Sequence, residues 1–222
     1  MATIGEMAAG IAHELRNPLA AISGAAEILE ASGDIRSHNQ GLMNIITREC
    51  LRLQSTISDF LAFSKPYEPE KEFIRLLPMF KEIVQLLQHT QDWPEKCLSV
   101  FDIPEKMDCW ADPQQIYKVF LNILHNSCVA LRNREGEIQI SSHEIEDDTG
   151  SERTIITIRD SGKGIPSHIV EKMFEPFFTT RENGTGLGLS IVKQIINAHN
   201  GTIIISSAEN KGTTAKISLP LP

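Results

Sequence analysis

The stretch GIAHELRNPLAAI, residues 10–22, sets His13, Glu14, Arg16 and Asn17 side by side and follows them with Pro18. Around these polar groups the apolar residues keep a strict rhythm. Ile4, Ala8, Ile11, Leu15, Pro18, Ile22, Ala25 and Leu29 alternate steps of four and three, a heptad a/d seam. Residues 39–64 repeat the pattern with Met43, Ile46, Cys50, Leu53, Ile57 and Phe60. Between the two seams lies ASGDIRSHN, with the turn formers Gly33, Asp34 and Asn39. The spacing predicts a helical hairpin. Two helices cannot close a core alone, so the expected product is a dimeric four-helix bundle built from two chains.

On this heptad His13 falls at position f, opposite the seam. Arg16 is at b and Glu14 at g, and Asn17 lies about 40° further round the same face as His13. The bland reading is a solvated helix face, which is the usual meaning of charges on an amphipathic helix. Pro18 fits that reading poorly. It removes a backbone hydrogen bond and clashes with the carbonyl of Glu14, at about 3 kcal/mol, so a kink beside an exposed histidine is expected. Periodicity alone leaves the functional and the bland readings level.

The chain has 222 residues, room for one or two domains, and 41% hydrophobic residues, enough for a sizeable core. Its formal charge is -8. The first 66 residues hold 5 basic and 7 acidic side chains and the remainder 16 and 22, so neither part is built for nucleic acid. The four cysteines show no CxxC spacing and read as buried thiols of a reducing compartment. The seven histidines are scattered and suggest no metal cage. No apolar run approaches the roughly 20 residues of a membrane span and no signal peptide is evident, so a cytoplasmic location is expected.

FSKPYEPEKE reads as a linker over about residues 65–71, separating a hairpin domain, 1–66, from a second domain, 67–222. The pattern there is mixed. PMFKEIVQLLQ is a helix candidate, while CLSVFDI and MDCWAD look like strands. Asp112 and Pro113 give a strong helix start, N-cap then first turn. GEIQISSHEI and RTIITIRD alternate as a strand pair, LGLSIVKQIINAH is a helix ended by Asn200 and Gly201, and the C-terminus reads as a hairpin. Strands interleaved with helices argue for an α/β sandwich.

Four features of this half carry chemistry. Asn122 and Asn126 share one helix face, and an amide oxygen is a hard donor that suits Mg²⁺. Mid-helix asparagines are, however, usually surface residues. Asp160 closes a strand before Gly162 and Gly164, and an ionised Asp can only accept hydrogen bonds, so it could read an amino group. An ordinary turn is the competing reading. Gly184, Gly186 and Gly188 lead into a helix whose first N–H groups suit a phosphate chain. Before them Phe174, Phe177, Phe178 and Arg181 look like a mobile lid with exposed aromatics. Gly212 and Thr213 could line the same pocket, though Gly-Thr turns are common in hairpins.

The order of the motifs decides more than any one of them. Over essentially its whole length the chain resembles a sensor histidine kinase of two-component signalling. HELRNPL resembles the phospho-acceptor H box, LNILHNS the N box, DSGKGIP the G1 box, FEPFFTT the F box, GTGLGLS the G2 box and KGTTAKISLP the closing glycine-threonine motif. The compact lid and the NPL ending are most similar to the nitrogen-regulation sensor branch. The resemblance implies a dimerisation and histidine-phosphotransfer hairpin followed by an ATP-binding α/β sandwich of the gyrase and heat-shock-chaperone type. Residue by residue it implies that His13 is the phosphorylated nucleophile and that Glu14 accepts a hydrogen bond from its Nδ1–H. Asn126 would hold Mg²⁺ with Asn122 beside it, and Asp160 would receive the adenine amino group. Gly162, Gly164, Gly184, Gly186, Leu187, Gly188 and Thr213 would shape the nucleotide pocket. Arg181 is assigned as a lid cation near the γ-phosphate, and Asn17 as a group that orients water during dephosphorylation.

The sequence departs from the family in places. Val129 stands where many members have a basic residue, so a phosphate contact would be missing or supplied by His125 or Arg181. Ser127 replaces the usual alanine, a small change, and Asn200 replaces a glycine at a helix end, where asparagine serves nearly as well. His199 is then expected to be structural. The H box begins close to Met1, so sensing and relay segments are expected to be absent from this chain, which would be a fragment or a kinase under a partner's control. No membrane contact is expected of this stretch, whatever anchors a missing upstream region. Three functions compete: a kinase that phosphorylates the receiver domain of a response regulator, a phosphatase of that regulator, and a non-catalytic nucleotide-gated dimer. Intact His13, Asn126 and Asp160 argue against the last. Whether phosphorylation runs within or between subunits would depend on the 32–38 loop.

Overall fold

The computed structural model describes residues 4–31, 39–64, 68–147, 150–181 and 185–222. Gly184 and the 32–38 loop lie outside these, as do the side chains of His13, Glu14 and Arg16. The chain divides into two compact units, Met1–Lys65 with Pro176–Leu187, and Pro66–Glu175 with Gly188–Pro222.

The first unit holds helices α1 (Ile4–Ala31) and α2 (Asn39–Ser64), packed on each other as the seams require. In α1 the described seam residues behave as expected: Pro18 and Ala25 are buried and Leu15, Ile22 and Leu29 half-buried. Helix α1 continues through Pro18, with Asn17 on its exposed side. In α2 the structure corrects the phase. Among the described side chains of α2, Glu49 and Thr56 are the buried ones, whereas Met43, Cys50 and Ile57 are exposed. The apolar residues of α2 had merged two stripes. Ile46, Leu53 and Phe60 are half-buried on the same stripe as buried Glu49 and Thr56, polar residues that a hydrophobic pattern cannot register. Met43, Cys50 and Ile57 form the exposed stripe.

The second unit is an α/β sandwich. Strand β1 (Glu72–Arg75) leads into α3 (Leu76–Gln88), then β2 (Cys97–Asp102), β3 (Asp108–Ala111) and α4 (Pro113–Ala130). Strands β4 (Gly136–Glu146) and β5 (Glu152–Asp160), helices α5 (Ser167–Val170) and α6 (Gly188–Ala198), and strands β6 (Thr202–Ser207) and β7 (Thr213–Pro220) complete it. Five strands form one sheet in the order β2-β4-β5-β7-β6, with β2 parallel to β4 and the other pairs antiparallel. Period-two alternation turns Ile138, Ile140, Ile156, Ile158, Ala215 and Ile217 towards the helices, where Phe80 of α3 stacks on Phe120 of α4 at 4.4 Å. The sequence reading missed β1. It has only four residues, too few to show a period, and exists through pairing with β3, where Arg75 donates to Asp108 at 2.7 Å. Cys109 and Cys128 are buried and their thiols pushed up to about 12, chiefly by burial. Cys97 is half-buried and Cys50 exposed, so the expectation of four buried thiols holds for two.

Among the described residues no helix is long and apolar enough to cross a membrane, and no three His, Cys, Asp or Glu side chains gather as a metal cluster.

Candidate functional site

Helix α4 is the backbone of the site, and its start is unusually well fixed. The Asp112 carboxylate accepts from the backbone N–H groups of Gln114 and Gln115, each at 3.0 Å, and Pro113 occupies the first turn, as the local sequence predicts. The same carboxylate also accepts the Gln115 side-chain amide and the backbone N–H of Glu70, at 3.2 and 3.1 Å. From the other side, the Asp112 N–H donates to Nε2 of His199 at 2.9 Å, and His199 Nδ1–H donates to the Ile195 carbonyl at 2.8 Å. His199 is therefore structural, as expected: a fully buried neutral ring joining the end of α6 to the start of α4. Burial holds its pKa below the ordinary imidazole value.

Three turns along α4, Asn122 turns its amide nitrogen back to the Lys118 carbonyl at 2.9 Å. Its oxygen then faces Gly188, the first residue of α6, where a Cβ would sit 2.8 Å from it. A side chain at 188 would fill the space in front of that hard donor. Asn126 lies one turn on and is half-buried. Next to Asn126, His125 Nε2 is bonded to Asp92 at 3.1 Å, and Asp92 is shared with Arg132 at 3.0 Å, so the ring is committed to a carboxylate.

Asp160 ends β5 and is 4% exposed. Gly162 N–H donates to Oδ1 at 2.9 Å, the Ser127 hydroxyl to Oδ2 at 3.3 Å, and the Thr213 N–H reaches the same carboxylate. Burial pushes the Asp160 pKa up, and these three donors oppose it. One acid thus joins the N box, the G1 turn and the glycine-threonine strand. The turn itself is strapped down. Lys163 N–H donates to the Ala130 carbonyl at 3.1 Å, Asn210 N–H to the Lys163 carbonyl at 2.7 Å, and Ile165 N–H to the Ser207 hydroxyl at 2.8 Å. Gly164 has φ 66°, and a Cβ there would run into the Ala208 carbonyl, so only glycine fits.

The lid segment is less exposed than expected. Phe174, Phe177 and Phe178 are all half-buried, and the Lys193 ammonium lies 5.3 Å from the Phe174 ring centroid. Gly186, at φ 66°, packs against the Phe177 backbone, Leu187 is fully buried, and the Thr179 hydroxyl accepts the Arg181 N–H at 3.1 Å. The hydroxyl of Ser127 and the Asp112–His199 clamp are the two contributions that the sequence reading undervalued. Each joins residues remote in sequence, 33 and 87 positions apart.

The chain is thus a helical hairpin followed by an α/β sandwich that carries a buried Asp at a strand end and two Asn on α4, one of them facing the glycine that starts α6. Residues 3–68 match the His Kinase A (phospho-acceptor) domain, and residues 111–222 match the histidine kinase-, DNA gyrase B- and HSP90-like ATPase family. The chain belongs to the histidine kinase family. It is 34% identical over 221 residues to the sensor histidine kinase ZraS of Salmonella typhimurium, covering 100% of this chain and 46% of that protein. It is 33% identical over 218 residues to sporulation kinase E of Bacillus subtilis, covering 98% of this chain and 29% of that protein. Among solved structures it is similar to histidine kinase ThkA in complex with response regulator protein TrrA, with TM-score 0.78 and 29% identity, over 98% of this chain and 61% of that one. The chain therefore spans less than half the length of these two curated relatives.

Proposed function

We propose that this chain is the catalytic core of an ATP-dependent protein-histidine kinase that phosphorylates His13 and passes the phosphoryl group to an aspartate of a response-regulator receiver domain. The observation that carries the reading is the Asp160 carboxylate, buried at the meeting point of three motifs and fitted to accept an adenine amino group. The Asn122 oxygen directed at the bare Gly188 supports a phosphate chain with its Mg²⁺ there, with Asn126 as metal ligand. When bound, the metal neutralises phosphate charge. The family motifs assign Gly162, Gly164, Gly184, Gly186, Leu187, Gly188 and Thr213 to the nucleotide pocket, and we assign Arg181 as the cation for the γ-phosphate.

His13 Nε2 attacks the γ-phosphorus. The N–P bond forms as the bond to the bridging oxygen of ADP breaks, and Glu14 holds the Nδ1 proton so that the Nε2 lone pair stays available. The phosphoryl group then moves to the regulator's aspartate. Residues 1–66 serve as the dimerisation and phosphotransfer hairpin and 67–222 as the catalytic domain, in the cytoplasm. Leu19, Ile28, Met43, Leu51, Ile57 and Leu61 support the homodimer, since each is 47–61% exposed on a hairpin of two helices. Asn17, exposed one turn after His13, supports a second activity: orienting a water against the regulator's phospho-aspartate.

The test is label transfer. The protein should take up label from the γ- but not the α-phosphate of ATP, as an acid-labile, base-stable adduct. His13→Gln should abolish uptake while leaving ADP affinity within about twofold. Stable uptake by that variant would remove His13 from the mechanism.

A further inference from the structure

We propose that Ser127 is a positioning residue for base recognition: its hydroxyl anchors the second oxygen of Asp160 and fixes the carboxylate in the rotation that accepts the adenine amino group. The proposal rests on Asp160 reading adenine, as set out above.

Ser127 is 4% exposed on α4, and its Oγ stands 3.3 Å from both Asp160 Oδ2 and the Ile123 carbonyl. The hydroxyl has one hydrogen for these two acceptors. The Ile123 carbonyl is the helix partner of the Ser127 amide, so it already has a donor. An ionised carboxylate is the stronger acceptor, and turning the hydrogen away from it would set hydroxyl lone pairs against its charge. The hydrogen therefore goes to Oδ2.

The consequence is rotational. Gly162, only two residues away, holds Oδ1 at 2.9 Å. The Thr213 N–H also reaches the carboxylate, so the backbone supplies two tethers and Ser127 the side-chain one. Ser127 comes from a different element and holds the other oxygen, so together they fix the plane. A carboxylate offers about four lone-pair sites. Gly162, Ser127 and Thr213 take three, which leaves about one site for a ligand donor and none for a ligand carbonyl. Alanine at 127 would keep the helix and the packing but remove the side-chain donor from Oδ2.

The experiment is calorimetric titration of the 222-residue chain with ADP and with purine riboside diphosphate, which lacks only the 6-amino group. The ratio of the two affinities reads the amino contact alone. Ser127→Ala is expected to shrink that ratio by about three- to tenfold, the effect of weakening one well-oriented hydrogen bond. Its affinity for the purine analogue should stay within about twofold of wild type, which also shows that the variant is folded. In an Asp160→Asn background Ser127→Ala should leave the ratio unchanged. Equal weakening towards both ligands, or an unchanged ratio, overturns the assignment of Ser127. If Asp160→Asn narrows the ratio and Ser127→Ala does not, only the Ser127 inference falls. If the wild-type chain binds both ligands equally, the reading of Asp160 falls first and takes this one with it.

Discussion

Replacing His199 with glutamine is expected to remove a pH dependence from the stability of the ATP-binding half. The ring is fully buried, and its Nε2 accepts the Asp112 N–H at 2.9 Å. Protonation would put an N–H where that acceptor stands and a charge on a ring shielded from solvent. Burial accordingly lowers the folded-state pKa from the ordinary 6.5. The sign follows. Above the unfolded value both states carry a neutral ring, and the stabilisation is fully present. As pH falls below it the unfolded chain takes up a proton that the folded protein refuses, and stability is lost until the lowered folded value is reached. The slope cannot exceed about 1.4 kcal/mol per pH unit for one group, which sets a ceiling of about 1.3 kcal/mol between about pH 7 and 5.5, or about 3–5 °C in Tm for a domain of this size. A glutamine amide oxygen can still accept the Asp112 N–H but does not titrate. The variant should start lower at pH 7, by about 1–3 kcal/mol for imperfect replacement of two buried hydrogen bonds, and then fall less steeply. The assay is thermal or urea unfolding of both proteins across that range, with the difference between the curves as the readout, since the remaining titrating groups are common to both. Parallel curves would refute the argument, because they would mean that His199 takes its proton equally in both states.

Asp160→Asn should reduce the preference for ATP over GTP by about tenfold in binding, since the amide presents a donor where the carboxylate could only accept; equal binding of the two nucleotides by the wild type would defeat the assignment. Asn17→Ala should keep initial autophosphorylation within a few-fold and slow decay of purified phospho-regulator by an order of magnitude or more, and parallel loss of both activities would reduce Asn17 to a support for the Pro18 turn. Gly162→Ala should destabilise the domain by about 1–3 kcal/mol in urea unfolding, because the new Cβ would sit 2.8 Å from the backbone and Cβ of Ala130. An Ala variant as stable as wild type would show that the turn can shift.

Local signals in the sequence translated well into local structure. The Asp112–Pro113 start of α4, the left-handed Asn200 at the end of α6, and the alternation that turns Ile138 and Ile140 inward each depend on neighbours only a few residues away. What was hidden depends on residues brought together by the fold. Glu49 and Thr56 occupy buried turns of α2 although they are polar, so no apolar period could mark them. The four residues of β1 need β3 to become a strand. For the site, Asp160 was legible as an acceptor at a strand end. That the Ser127 hydroxyl and the Thr213 amide would converge on it follows from α4 lying beside β5 and from β7 pairing with it residue for residue. His125 looked available for a phosphate until the loop carrying Asp92 came to meet it.

The crowding around Asp112 narrows what that position can become. An ordinary helix start accepts Ser, Thr, Asn or Asp almost interchangeably, because one side-chain oxygen serves one or two amides. Here two oxygens serve four donors, and one of those donors, the Glu70 N–H, belongs to the segment that leads into the domain. Asparagine has a single accepting oxygen and would turn its amide nitrogen on at least one of the four; serine is too short to reach across. A substitution at 112 therefore loosens the helix start and the segment that leads into the domain at once, and because three of the four donors are backbone N–H groups, Gln115 is the one donor residue whose own side chain is matched to this carboxylate.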